Sequence, residues 1–298
     1  GRIWLNGFSG ALMIEEREYE DVDDTEIMLC LDQAYKIKVS TEAVREMTAF
    51  VGNRNKKNPL QDWLKQKHWD KAERIDDWLI KATGCDDTTL HREIGKRWLI
   101  QAIARAMKPG CKADCVLILI GKQGVKKSTM LRTLASPAFF ADTPIDIGSA
   151  NAYTQIRRAW IYEMAELDSV RRSANSATKA FLSAQEDVFR PAYGRHAVTV
   201  KRHVVFAGTT NQAQFITDQT GSRRYWPIKV GNIDLEWVTK HRDQLWAEAI
   251  VEYNAGSRWW LEDESSETLE SASDEYKHVD PWLERLSDWL VVNQNKLT

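Results

Sequence analysis

Long apolar runs are absent from this sequence. The longest, Val116-Leu117-Ile118-Leu119-Ile120, has five residues, against the ~20 that a membrane-spanning helix needs. No membrane partner is expected. No secretory leader opens the chain, whose Gly1-Arg2-Ile3 start without Met suits an excised fragment. Cysteine is scarce as well: Cys30, Cys85, Cys111 and Cys115 form no CxxC pair. No Cys or His follows Cys111 and Cys115 with zinc-finger spacing, so free thiols in a reducing, cytoplasmic setting are expected. Net charge is nearly missing too, with 41 Lys and Arg against 43 Asp and Glu, a formal −2. That excludes a protein that coats DNA with its whole surface and leaves room for a local basic groove.

Apolar material is plentiful in short pieces. With 298 residues and 43% hydrophobic content, the chain has length for about two domains of ~150 residues. Most of the 13 tryptophans, Trp63, Trp78, Trp246 and Trp259 among them, sit at helical spacing that suits core packing. Residues 1–110 read as a mostly helical domain, a possible oligomerisation collar. One helix starts at Pro59, another runs from Glu73 to Ala82 and stops at Gly84, and a third spans Arg92 to Met107. Residues 111–232 change texture. Val116–Ile120, Ala159–Tyr162 and His203–Ala207 are short apolar runs suited to strands buried on both faces, and helical patterns lie between them. The expectation is an α/β fold with a parallel sheet. Residues 233–298 read as a C-terminal helical region: a helix from Leu235 to Tyr253 capped by Asp234, an acidic linker from Leu261 to Asp280, and a further helix from Pro281.

Directly after the first strand comes Gly121-Lys122-Gln123-Gly124-Val125-Lys126-Lys127-Ser128-Thr129, followed by an apolar helical stretch. Glycines let a loop curl so that its N–H groups converge on phosphate oxygens, and a helix N-terminus adds partial positive charge. A lysine at this place reaches the β- and γ-phosphates and the next hydroxyl ligates Mg²⁺, which assigns Lys127 and Ser128. The place before the lysine, normally Gly, is Lys126. Its side chain must face outward or the loop must open, and weakened but retained nucleotide binding is expected.

Carboxylates at the tip of a neighbouring strand would hold the metal and activate water. Glu163 is the candidate for the Mg²⁺ shell and Glu166 for the general base, with the roles open to exchange. Asn211, after the third strand, is placed to orient the attacking water. Arg223 and Arg224 either form an exposed doublet or supply a finger to a nucleotide on the adjacent subunit. From Val188 to Thr217 there is no Asp or Glu, while the pattern alternates around Gly194 as a β-hairpin does. Arg190, Tyr193, Arg195 and His196 would then track a single-stranded nucleic-acid backbone, unless the loop is merely solvated.

Together with Trp69-Asp70, Arg74-Ile75-Asp76-Asp77-Trp78-Leu79 and Pro109-Gly110, the ordered motifs Glu163-Met164-Ala165-Glu166-Leu167, Lys179-Ala180-Phe181-Leu182, Phe189-Arg190-Pro191-Ala192-Tyr193-Gly194-Arg195, Gly208-Thr209-Thr210-Asn211 and Gly221-Ser222-Arg223-Arg224-Tyr225-Trp226-Pro227 resemble the virulence-associated E family. The resemblance spans about residues 45–260. That family, encoded by phages and other mobile elements, is similar to superfamily 3 helicases of the AAA+ class, P-loop NTPases that form hexameric rings, often behind a primase domain. It implies ATP and Mg²⁺ at Lys127 and Ser128, carboxylates at Glu163 and Glu166, a sensor at Asn211 and an arginine finger at Arg223 or Arg224. It also implies a DNA-contacting hairpin at Arg195 and His196. With no primase cluster visible, the helicase part alone is expected, acting on single-stranded or forked DNA. The rival expectations are a nucleotide-dependent assembly switch that recruits partners without unwinding, and a nucleic-acid scaffold with a dead ATP site.

Overall fold

The computed structural model describes residues 2–147, 149–165, 176–190, 197–211 and 222–273, with residues 276 and 289. The N-terminal part, read as mostly helical, also holds strands that its patterning did not show. It opens with a small antiparallel sheet of β1 (Ile3–Leu5), β2 (Leu12–Ile14) and β3 (Arg17–Glu18). Strands this short leave too few alternations to register in a sequence. Helices α1 (Asp21–Tyr35), α2 (Thr41–Arg54) and α3 (Pro59–Lys65) follow. Ser40 and Asn58 cap α2 and α3 by accepting from Ala43 N and Gln61 N, with Pro59 in the first turn of α3.

The helix expected from Glu73 is shorter, α4 (Trp78–Thr83). The residues before it are held in a turn by the Glu248 carboxylate, which accepts from Arg74 N at 2.8 Å and Ile75 N at 3.1 Å. Gly84 ends α4 as expected, in the left-handed region at φ 62°, with Asn232 O 3.2 Å from where a Cβ would stand. Thr88 then caps α5 (Thr89–Met107).

The chain next builds a mixed α/β core. Strands β4 (Val116–Ile120), β5 (Phe140–Ala141) and β6 (Ile161–Ala165) are interleaved with α6 (Lys127–Ala135) and α7 (Ala150–Ile156). After α8 (Ser176–Ser183) comes an antiparallel hairpin of β7 (Glu186–Phe189) and β8 (Val198–Lys201), then β9 (Val205–Thr210) and β10 (Tyr225–Lys229). Five strands form one wholly parallel sheet in the order β10-β4-β9-β6-β5. β9 outruns the apolar segment that announced it. Gly208, Thr209 and Thr210 pair with Ile118, Leu119 and Ile120, so the ladder extends into polar sequence.

Alternate strand residues feed the two faces. Leu117, Leu119, Trp226 and Ile228 pack toward α5 and α9 (Leu235–Asn254), where Trp160 and Trp246 lie 4.4 Å apart. Their indole N–H groups donate to Ala102 O at 2.9 Å and Leu134 O at 2.8 Å, which satisfies the polar end of each buried ring. Val116, Ile118, Tyr162 and Phe206 pack on the other face with Phe181 and Leu182 of α8. The acidic stretch read as a linker contains a helix, α10 (Asp263–Ser273). Leu269, 1% exposed, anchors it to the main core. One buried leucine suffices where the other positions stay wet, a pattern that composition alone reads as linker. No helix among the described residues is long and apolar enough to cross a membrane.

Candidate functional site

The β4–α6 turn is shaped at both ends. Gly121 lies so close to β10 that a Cβ would stand 2.7 Å from Val230 Cγ2 and 3.3 Å from Val230 O. Gly121 N donates to Thr210 O at 3.1 Å, which fastens the start of the loop to the tip of β9. Gly124 is left-handed at φ 86°. Lys126 is left-handed too, with φ 68° and ψ 28°, and its side chain is exposed. The backbone thus keeps the conformation that glycine normally supplies here, at a cost of about 1 kcal/mol for an L side chain.

Lys127 Nζ donates to Gly121 O at 2.7 Å and Lys122 O at 3.0 Å, so the ammonium is folded onto its own loop. Partial burial lowers its pKa, and the nearby Glu163 charge opposes that shift. Ser128 Oγ donates to Glu163 Oε1 at 2.6 Å, and Thr209 Oγ1 donates to the same oxygen at 2.5 Å. Glu163 sits inside β6, two residues before its end, and is 1% exposed. Burial raises its pKa, while the two hydroxyl donors and the Lys127 charge pull it back. Its Oε2 is buried without a partner among the described residues. An unpaired buried carboxylate oxygen is costly and suits a cation ligand. Ser128 fits the same role, because its hydrogen is committed to Glu163 and its lone pairs stay available.

Ser128 and Thr209, which cover the Glu163 carboxylate, border a cavity of about 380 Å³ lined among the described residues by Gln123, Gly124, Lys126, Lys127, Thr129, Ala165, Thr210 and Asn211 as well, while Glu163 itself is not in the lining. The strand order explains the gathering: β9 lies between β4 and β6, so its tip enters the cavity between the loop and the carboxylate. Among the expected loop residues, Gly121 and Val125 are not in this lining. Val125 packs against the core, and Gly121 acts through its backbone. Thr209 and Thr210 stand in the motif Gly208-Thr209-Thr210-Asn211, but sequence alone assigns them no site role, because the apolar run that marks β9 ends at Ala207.

Arg223 and Arg224 do not join this cavity. β10 runs parallel to β4 with Tyr225 opposite Val116 and Lys229 opposite Ile120. The arginines therefore precede the sheet at one edge and the loop leaves it at the other, ~15 Å away at about 3.3 Å per residue. Arg224 Nε donates to Ser183 Oγ at 3.1 Å and lies 3.6 Å from Asp114 Oδ2, whereas Arg223 is exposed. The expected hairpin is present as β7 and β8, with Phe189 opposite Val198 and exposed Arg190 just past β7. Tyr193, Arg195 and His196 at its tip, and Glu166 after β6, lie outside the described residues. The hairpin base is fastened by buried Arg202, which donates to Asp187 through Nε at 2.8 Å and Nη2 at 2.6 Å and lies 4.6 Å from the Phe181 ring. No cluster of three or more acidic, His or Cys ligands occurs among the described residues. A magnesium ion held mainly by phosphate and water oxygens needs none.

The fold is similar to apo structures of the C-terminal region of NrS-1. One aligns at 15% identity and a TM-score of 0.52 over 93% of this chain and 72% of that one. Another aligns at 11% identity and a TM-score of 0.55 over 90% and 71%. At these identities the likeness is one of fold. No curated protein matches the chain. The model of the virulence-associated protein E-like domain matches residues 64–278, and the chain belongs to that family.

Proposed function

We propose that this chain is the P-loop ATPase motor of a superfamily 3-like DNA helicase, acting as a cytoplasmic ring in the replication of a phage or other mobile element. The observation that carries the reading is the Ser128–Glu163–Thr209 bond set at the head of α6, which ties a glycine-bearing loop and a polar strand tip, both lining one cavity, to a buried strand carboxylate. Family membership and the fold likeness to the C-terminal region of NrS-1 agree with it.

In this reading the α6 N-terminus and loop amides hold the phosphates, and Lys127 exchanges the carbonyls of Gly121 and Lys122 for phosphate oxygens. Ser128 Oγ and Glu163 would hold Mg²⁺, which neutralises phosphate charge. Asn211 orients the attacking water, Glu166 or Glu163 takes its proton, and Arg223 reaches the nucleotide of a neighbouring subunit. The hairpin carrying Arg190, Tyr193, Arg195 and His196 tracks one DNA strand.

Nucleotide binding, ATP hydrolysis and forked-duplex unwinding test the proposal. Lys127→Ala should abolish hydrolysis, and retained hydrolysis overturns the site. Arg195→Ala with His196→Ala should spare basal hydrolysis and lose unwinding. Hydrolysis by the parent protein without unwinding would instead favour the assembly switch.

A further inference from the structure

A second cavity, of about 400 Å³, opens at the sheet edge away from the phosphate loop. The loop between α9 and α10 folds across this edge and is fixed there. Arg97 Nη1 donates to Arg258 O at 2.8 Å, and Trp259 Nε1 donates to Lys112 O at 2.8 Å. The cavity's walls include Trp226, Trp259 and Trp260. Trp260 is 48% exposed and meets Trp259 edge-on at 5.3 Å, so one large ring offers a face to solvent beside a fixed neighbour. Trp226 is 1% exposed, and its indole N–H is buried with no acceptor among the described residues. Lys112, Arg223 and Arg224 also line the cavity against Asp114, the single carboxylate among the described lining residues, which Arg224 approaches at 3.6 Å. The balance favours an anion.

Aromatic faces and surplus positive charge in one cleft match a nucleobase bearing a phosphate. The base stacks on the exposed Trp260 ring, and the phosphate meets Lys112. Among the described residues the phosphate-loop cavity has no aromatic lining, so the two cavities offer different chemistry to such ligands. We infer that the Trp226–Trp259–Trp260 cleft is a second nucleotide-unit site, taking either a free nucleoside monophosphate or one nucleotide of a single strand. The inference goes beyond the phosphate-loop reading and does not depend on it.

The test uses the full chain carrying Lys127→Ala, so that the first site is disabled. Tryptophan quenching is followed during titration with AMP and, separately, with a short oligodeoxythymidylate. Saturable quenching is expected from at least one probe, AMP alone marking a free nucleotide and the oligonucleotide alone a strand. Trp260→Leu should weaken that binding about tenfold, in line with the loss of one base-stacking contact. Lys112→Glu should weaken it with an unchanged thermal midpoint, which covers the case of a folding defect in the Trp260 variant. Absence of saturable quenching by both probes, or binding unchanged by either substitution, overturns the inference. Because Lys127 is already replaced, neither outcome bears on the phosphate-loop reading.

Discussion

Ser128 Oγ donates to Glu163 Oε1 at 2.6 Å across 35 positions of sequence, joining the head of the phosphate helix to the neighbouring strand. Thr209 donates to the same oxygen from the strand between them. Glu163→Gln keeps an acceptor for both hydroxyls and removes only the charge. ATP hydrolysis should fall about 100-fold or more, with nucleotide binding retained. Burial raises the Glu163 pKa, so its favourable contribution is full at acid pH and is lost as pH rises through its folded value. The amide escapes that loss. The Glu163→Gln melting midpoint at neutral pH should equal or exceed the parent's, and a markedly lower midpoint there would refute the argument.

Lys126 holds a left-handed conformation at φ 68° with an exposed side chain. Lys126→Gly should relieve steric strain at that position while adding freedom to the unfolded chain, for a net gain of about 0–1 kcal/mol. ATP affinity should be equal or higher, because the loop path is unchanged. Chemical denaturation and calorimetric titration check both. Lost affinity would mean that the Lys126 ammonium itself contacts phosphate.

Arg223 and Arg224 lie at the sheet edge away from their own phosphate loop. Arg223→Ala should leave the thermal midpoint unchanged and stop steady-state hydrolysis without loss of nucleotide binding. Mixed with Lys127→Ala protein, it should recover part of the activity, since each subunit supplies what its neighbour lacks. No recovery in the mixture would exclude a finger acting between subunits. Arg224→Ala should instead destabilise by about 1–3 kcal/mol, leaving Asp114 and Ser183 short of a donor.

His203 is buried against Phe8, with ring centroids 4.4 Å apart, and burial pushes its pKa down to about 4. Arg157 and Arg105 disfavour its protonation further. The stability it contributes is full above its unfolded pKa of about 6.5 and is lost as pH falls toward about 4. The total is about 3 kcal/mol, taken at ~1.4 kcal/mol per pKa unit. His203→Leu should flatten that part of the acid limb. Denaturation curves for both proteins across this range measure it, and parallel limbs would show that His203 titrates normally in the fold.

The strand, turn and helix around Lys127 were legible because their information is local: a buried apolar strand, two glycines, Lys127-Ser128 and a helix follow one another without a break. The hairpin was legible from alternation on both sides of Gly194, and β7 and β8 pair accordingly. The part of Thr209 and Thr210 in the site was not legible, because hydrogen-bonding partners on two flanking strands carry β9 past its apolar run. The α4 start and α10 were misjudged for a related reason. A distant carboxylate, Glu248, holds the turn before α4, and a single buried residue, Leu269, anchors α10.

Local chemistry written in the sequence decided which segments become strands, where helices start and stop, and which residues are equipped to meet phosphate. Partner choice lay beyond it. That Glu163 is buried beneath Ser128 and Thr209, that Lys126 can take a glycine conformation, and that Arg223 faces away from its own loop all follow from strand order and parallel register. Those depend on contacts between residues far apart in the chain, whose free energy exists only once the sheet and its two helical layers have closed together.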